Sequence, residues 1–596
     1  MRNAETVLSV IRDRGKRGLP LGDVYRQLFN PELYLRAYGR IYRNDGAMTP
    51  GTTKETVDGM SMAKIHSLID DIRHERHRWA PVRRVHIPKK NGKTRPLGIP
   101  VWKDKLLQEV MRSILEAYYE PQFSDHSHGF RPERGCHTAL EHIRHVWTGT
   151  KWFIEGDITG CFDNIDHEIL LSILRDKIQD ERFIRLTENL LKAGYCEQWK
   201  RYPTFSGSPQ GGIVSPILAN IYLDRLDQFA DKMLTPEHTK GVKRVVHPGY
   251  ERLANLRRLA RKHGRWEEAQ HLLQQMQQLP SLDPDDPGYR RLRYVRYADD
   301  FLFGFIGPKS EALAIKDQIG QFLRDQLKLE LSPQKTLVTH ATTGHARFLG
   351  YEISTDLANT KHGPDGRRTV NGGIALRIPA RFVQETCARF MSNGKVTHRA
   401  ELLNESDYDI VTLYQGEYRG YVEYYGLAHN LTWLGTLWFT METSLLRTLA
   451  NKHRSSVTAM ARKLRSKRYT PQGWRKCLEV VVIKPDKRRL VTRFGAISLS
   501  RRSNVKVRDR TDMSRFPRRC ELVTRLLAEK CEVCGSEGAV EVHHIRKLAD
   551  LNKPGRRERP LWARIMSARK RKTLVLCIGC HDDLHAGRPL ERRDGT

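Results

Sequence analysis

The chain is short of acid, of long apolar runs, and of cysteine outside one small region. Against 103 Lys plus Arg stand only 69 Asp plus Glu, a formal charge of +34 over 596 residues. Such an excess asks for a polyanionic partner. Because the basic residues recur along most of the chain rather than in one tail, nucleic acid is the expected partner. No hydrophobic stretch reaches spanning length and no lipidation signal is visible, so no membrane partner is expected. The opening "MRNAETVLSVIRDRGKRG" has no apolar signal-peptide core, which points to an intracellular protein. A bacterial cytoplasm is the expected compartment, nucleoid-associated when on DNA, although an organelle-encoded chain would read the same. Repeats of solenoid type and long low-complexity tracts are also missing. Of ten cysteines, Cys136, Cys161, Cys196, Cys387, Cys477 and Cys520 are scattered and read as buried thiols. The other four, Cys531, Cys534, Cys577 and Cys580, form two Cys-x-x-Cys pairs. A reducing compartment makes disulfides a poor account of them.

The length is too great for one core and indicates three or more domains. Residues 1–80 read as a helical extension, with "PELYLRAYGRIYRN" apolar on one helical face. From 81 to 355, β-rich runs such as "RRVHIPKKNGKTRPLGIP" and "WFIEGDITGCF" alternate with helices, as in an α+β domain. Within it, 231–290 is a polar, helix-prone insertion. Residues 375–465 turn helical and dense in aromatics and bases. A basic connector covers 466–525, and a cysteine-containing module covers 526–596.

Two adjacent acids, Asp299 and Asp300 in "RLRYVRYADDFLFGF", lie between apolar runs where a core strand would exclude charge. A plain hairpin tip would account for them, since Asp tolerates turn dihedrals. A second carboxylate changes that reading. In "KWFIEGDITGCFDNIDHEILL" Asp157 falls at the expected end of a strand. If the two strands lie side by side, their carboxylates converge as a pair of Mg²⁺ ions requires. Such ions stand about 3.5–4 Å apart and stabilise the attacking and leaving oxygens of a phosphoryl transfer. Asp163 and Asp166 precede a helix and could simply cap it.

The ordered blocks "IPKKNGKTRPLGIP", "HGFRPERGCHTAL", "GDITGCFDNIDH", "SGSPQGGIVSPILANIYLD", "YVRYADDF", "LSPQKT" and "RFLGYEI" resemble those of reverse transcriptases, and most closely the proteins encoded by mobile group II introns. The resemblance covers nearly the whole chain. It implies a multidomain α+β fold: a right-hand polymerase with fingers and palm, a helical thumb, and a small zinc-stabilised ββα module. It implies RNA-directed DNA synthesis with two Mg²⁺ ions on Asp157, Asp299 and Asp300, aided by the Ile158 carbonyl. Lys89, Lys90 and Arg95 would clamp the triphosphate of an incoming dNTP. Phe162 would exclude a 2′-hydroxyl, Gln210 would support the nucleotide, and Lys335 would be a general acid for the leaving pyrophosphate.

The helical segment, with "YRGYVEYYGLAHN" and "TSLLRTLANKHRSS", resembles the maturase part of the same family, which binds intron RNA and assists its splicing. Lys452, His453 and Arg462 are the candidate phosphate contacts, whereas Tyr421, Tyr424 and Tyr425 read equally as a bundle core. At the C-terminus the four paired cysteines have the spacing of a closed Zn²⁺ site. "VEVHHI" and "CHDDLHAG" resemble an HNH nuclease. By that match His544 is the general base, and His543, His581 and His585 hold a divalent ion. The central Asn of that module has no counterpart in "RKRKTLVLC", where Thr573 or Lys572 stands. The implied partners are intron RNA, target DNA and dNTPs. The competing readings are a splicing maturase with a vestigial polymerase and a host-defence reverse transcriptase, and intact Asp157, Asp299, Asp300 and Phe162 speak against the first.

Overall fold

A computed structural model describes residues 3–44, 46–88, 92, 94–197, 200–202, 207, 211–358, 361–364, 370–483, 489–502, 520–552 and 560–590. The fold is mixed α+β. Its central sheet is antiparallel, in the order Arg291–Tyr297, Asp300–Ile306, Trp152–Asp157, Val338–His340. Consecutive apolar residues in "FLFGFI" mark a strand covered on both faces, and alternation sorts them. Ile154, Phe301, Phe303 and Phe305 join one core cluster, while Phe153, Val295 and Leu302 join another. Helices Ser215–Phe229 and Lys309–Leu327 cover the first face, with Phe229 stacked on Phe322 at 4.1 Å. Helix Cys136–Val146 and Trp147 cover the second.

The first 73 residues contribute helices Ala4–Lys16, Pro31–Ile41 and Met62–Arg73, whose apolar faces enter the same core as the central sheet. They wrap helix Trp102–Tyr119, which is buried nearly all round despite its charges. Two of those charges pair with each other: Arg112 donates to Glu109 at 2.7 and 2.9 Å, and Arg40 lies 3.0 Å from Glu109. A second sheet pairs Val82–Pro88 with Thr94–Ile99. The insertion is a pair of antiparallel helices, Pro248–Lys262 and Trp266–Gln278, with its own small core.

Helices Asp407–Tyr424, Leu434–Lys452 and Val457–Leu464 follow. The next stretch, expected from its sequence to be a basic DNA-binding connector, begins as folded sheet. Arg465–Thr470, Gly473–Ile483 and Arg489–Gly495 form an antiparallel sheet, and Leu478, Val480 and Phe494 are buried in the core that also holds Tyr414 and Tyr418. The density of Lys and Arg hid a strand pattern whose charges lie on the solvent side. Last comes a small module in which Val540–His544 pairs with Thr573–Cys577 ahead of helix Ile578–His585. Among the described residues no helix is long and apolar enough to cross a membrane.

One buried ion pair fixes the Asp299–Asp300 hairpin. Arg296 and Asp227 are both fully buried and bond through two nitrogens at 2.7 and 2.6 Å. Tyr294 Oη donates to the same carboxylate at 2.8 Å, and Arg296 also donates to the Ala298 carbonyl in the turn at 2.8 Å. Ala298 sits at φ +56°, a conformation costly for a residue with a side chain. The outer hairpin strand is closed by the loop ahead of Phe130, where Arg296 N donates to His126 O and His128 N to Arg296 O, both at 2.8 Å. A Cβ on Gly129 would meet Ala298 N at 2.3 Å, so only glycine lets that loop approach. Removing one member of a buried pair leaves an uncompensated charge, at about 3–5 kcal/mol. Arg296→Met is therefore expected to strip amide protection from 292–306 in hydrogen exchange, with the double change Arg296→Met/Asp227→Leu recovering much of it. Equal loss in the single and double variants would refute that origin.

Candidate active and metal sites

Asp157 ends its strand directly opposite Asp300, the first residue after the turn. Gly156 before it faces Phe301, whose ring would be 2.0 Å from a Cβ there, so the strand can lie over that ring only as glycine. Burial pushes the Asp299 carboxyl above its ordinary range, with Asp157 adding to the effect. Burial, then the charges of Asp299 and Asp157, push Asp300 up to about 7. Two acids kept from ionising freely beside a third could hold a cation. Lys335 stands in for such a cation: its Nζ lies 3.0 and 2.9 Å from the two oxygens of Asp157. The three carboxylates are not among the groups whose donor atoms all lie within 4.8 Å of one another. Ile158 is locked beneath them, bridged to Leu331, while Ser332 N donates to Asp157 O at 2.8 Å. Asp166 accepts from Ile169 N at 3.0 Å and caps its helix.

Of the residues expected to meet a nucleotide, Lys89, Lys90 and Gln210 lie outside the described residues. Arg95 is on strand Thr94–Ile99, and its charge acts on Asp299. Phe162 follows the turn at Gly160 and meets Phe130 edge-on at 6.4 Å. Phe130, at φ +58°, also faces Tyr297 at 6.5 Å. Phe130 and Tyr297 were missed from sequence, although both lie inside quoted blocks. Beneath the acids, burial and then Asp299 push the Cys161 thiol up to about 12, so it stays protonated.

In the C-terminal module Cys531, Cys534, Cys577 and Cys580 bring their sulfurs within 4.8 Å of one another, with Cys534 and Cys577 Sγ 3.7 Å apart. Four thiolates about 2.3 Å from a tetrahedral Zn²⁺ would stand about 3.8 Å apart, so the donor set fits. Although burial opposes it, bonds from Ser536 lower the Cys534 thiol to about 6.

His543, His581 and His585 also gather, joined by a residue sequence reasoning missed: Asp58, from the N-terminal segment. Nothing local in "TVDGM" marks Asp58, whose contacts span 486 positions. His544 is not brought to the group. Strand alternation turns it to the opposite face, where its Nε2 bonds Tyr38 Oη at 2.8 Å and it is 5% exposed. Burial lowers its pKa to about 3. Thr573 faces His544 across the ladder and is held by Arg525 at 3.1 Å.

Lys452 and His453 each bond Asp407 at 2.7 Å, while Arg462 lies exposed on its helix. Tyr424 and Tyr425 donate to the Leu349 and Gly350 carbonyls at 2.7 and 3.2 Å, a packing role. Tyr421 is half-buried and accepts from Arg389 at 2.9 Å.

Comparison with known families follows these divisions. Residues 87–247 match the family described as reverse transcriptase (RNA-dependent DNA polymerase), residues 379–502 type II intron maturase, and residues 531–581 AI2M/AI1M-like HNH endonuclease. The chain is 39% identical over 589 residues to group II intron-encoded protein LtrA of Lactococcus lactis subsp. cremoris, covering 94% of each. It is 30% identical to the putative COX1/OXI3 intron 1 protein of Saccharomyces cerevisiae, covering 93% of this chain and 68% of that one. Telomerase from Candida albicans overlaps 65% of this chain and 58% of its own at 13% identity and a TM-score of 0.34.

Two outcomes are expected from this geometry. Because Asp300 holds its proton more tightly folded than unfolded, the metal-free fold is favoured below about pH 4 and loses that contribution as pH rises through about 7; the raised Asp299 acts in the same direction. Asp300→Asn should flatten the pH dependence of stability between about pH 4 and 7 in urea titrations; an unchanged slope would refute the assignment. At the cysteines, Cys577→Ser should lower the zinc content by one ion per chain and abolish amide protection over 573–577, and chelation should abolish the same protection. Retained protection after zinc loss would mean that the module folds without the ion.

Proposed function

The chain belongs to the group II intron-encoded proteins, combining a reverse transcriptase, a type II intron maturase and an HNH endonuclease, and from that premise we propose which of its parts carry each task. The central sheet is the palm of a right-hand polymerase, the strands at 82–99 belong to the fingers, and the helices from 407 to 464 form the thumb. By expected boundaries, residues 81–355 make up fingers and palm and 375–465 the thumb and maturase unit. The observation that carries this reading is the pairing of Asp157 with Asp300 beside Asp299, with a lysine already drawn to Asp157.

Asp157, Asp299 and Asp300 hold two Mg²⁺ ions, with the Ile158 carbonyl as a further donor. A divalent pair bound there supplies activation of the primer 3′-hydroxyl and neutralises charge on the leaving pyrophosphate. Asp300 gives up its proton to make the site competent. Lys335 lets go of Asp157 and turns its ammonium to the departing phosphates as general acid. Arg95, with Lys89 and Lys90, grips the triphosphate, and Gln210 supports the nucleotide. Phe162, braced by Phe130, fills the space a 2′-hydroxyl would need. The wider partners are intron RNA, bound through basic surface that includes Arg462, and target DNA, cut by the HNH module so that its 3′-hydroxyl primes synthesis. Lys452 and His453 reach RNA only by sharing or leaving Asp407. Zn²⁺ on the four cysteines holds the nuclease module together. His544 activates water there only in an arrangement in which Tyr38 has released it.

Primer extension on an RNA template with dNTPs and Mg²⁺ tests the polymerase roles. Asp299→Asn should lower the rate by about 10³-fold or more, on the scale of losing one transition-state charge contact, while His581→Ala extends normally. Phe162→Ala should admit ribonucleotides. Unimpaired extension by Asp299→Asn would remove the carboxylates from the chemistry.

A further inference from the structure

The N-terminal segment reaches the nuclease histidines by extending their sheet. Gly59 N donates to Val542 O and Val542 N to Met60 O, both at 2.9 Å, so residues 59–60 pair with the His543 strand. Gly59 has φ +70°, and a Cβ there would lie 3.4 Å from both His581 Cε1 and Glu541 Oε2. That turn points Asp58 into the cluster. Its Oδ1 lies 3.1 Å from His543 Nδ1 and 3.6 Å from His581 Nε2, and its Oδ2 lies 2.8 Å from His585 Nε2. His581 and His585 Nε2 are 3.2 Å apart.

These spacings are those of donors around one ion. A tetrahedral cation about 2.1 Å from each donor sets the donors about 3.4 Å apart. His581 Nδ1 lies 2.8 Å from Glu541 Oε2, the carboxylate contact that orients an imidazole to ligate through Nε2. His543 is 5% exposed; its Nε2 has no hydrogen-bond partner, and its Nδ1 has only the Asp58 carboxylate, 3.1 Å away. A cation would satisfy that buried nitrogen. Three imidazoles and one carboxylate suit Zn²⁺, Co²⁺ or Mn²⁺ better than Mg²⁺, and the half-exposed His585 gives an entry path.

We propose that Asp58 is the fourth protein donor to a divalent cation held by His543, His581 and His585, a clasp that fastens the nuclease module to the N-terminal segment. The inference rests on the reading of the three histidines as a metal site and adds the ligand that closes it. Four protein donors leave no coordination position for water or a DNA phosphate, so hydrolysis at this ion needs Asp58 to withdraw. Docking and metal binding are then linked: each strengthens the other.

The test uses the full chain with its cysteine site loaded with zinc, titrated with Co²⁺ alone. The wild type should develop the intense visible absorption of tetrahedral Co²⁺, and Co²⁺ should slow amide exchange at Gly59 and Val542. Asp58→Asn should weaken Co²⁺ binding at least tenfold and remove that protection, while still extending primers, which shows that it folds. His581→Ala and His585→Ala should lose the band. If the histidine variants lose it but Asp58→Asn matches the wild type in affinity and protection, the clasp is refuted and the histidine site stands. If the wild type gives no tetrahedral band, both fail.

Discussion

Arg296 and Asp227 form a charge pair without exposed surface, and the end of the central sheet that carries Asp157, Asp299 and Asp300 is assembled around it. Tyr294, Asn220, Ser127 and the Ala298 carbonyl all bond to the pair. The guanidinium thereby ties together the hairpin, the helix that carries Asp227 and the loop before Phe130. A hairpin with a residue at positive φ in its turn and two acids beside it is poorly stable alone. Repulsion between Asp299, Asp300 and Asp157 works against the turn, and the buried pair offsets it from behind. Replacing the pair by apolar side chains would satisfy the core, but nothing would then hold the Ala298 carbonyl and fix the turn.

Elsewhere the chain solves the same problem in the same way. Helix Trp102–Tyr119 carries Glu109 and Arg112 through the interior because each neutralises the other. At the C-terminal module, Asp58 remains charged although half-buried: burial alone would raise its pKa, but bonds from His543, His581 and the His544 amide hold it well below the usual carboxylate range. The nuclease module is thus joined to the polymerase part by charge and by strand pairing, while Val540, Val542 and Val575 share the large core with the N-terminal helices.

The sequence made the central site legible because its signals are local. Asp157, Asp299, Asp300 and Phe162 sit in short blocks that carry the resemblance to reverse transcriptases, the four cysteines have metal-site spacing, and the structure brings the acids together in one sheet and the cysteines in one cluster. What stayed hidden depends on contacts between distant segments. Asp58 looks like a turn residue until the chain folds back over nearly the full length of the polypeptide. His543 and His544 look equivalent in sequence, yet a two-residue period sends one to the cation cluster and the other against Tyr38. The sheet at 465–495 was obscured by its basic residues, which are counted by composition but exposed on one side of a folded unit. Lys452 and His453 read as free cations because their partner, Asp407, is 45 and 46 residues away.

The proposed polymerase site requires the buried pair to position Asp157, Asp299 and Asp300 to share divalent ions, with Lys335 holding the place of a cation until they bind. A structure of the protein with primer, RNA template and dNTP in Mn²⁺, using the anomalous signal of manganese, tests it most directly. The account predicts manganese between Asp157 and the Asp299–Asp300 turn, with Lys335 moved from Asp157 to the phosphates. Manganese bound elsewhere, or Lys335 still paired with Asp157 in a complex poised to react, would contradict it.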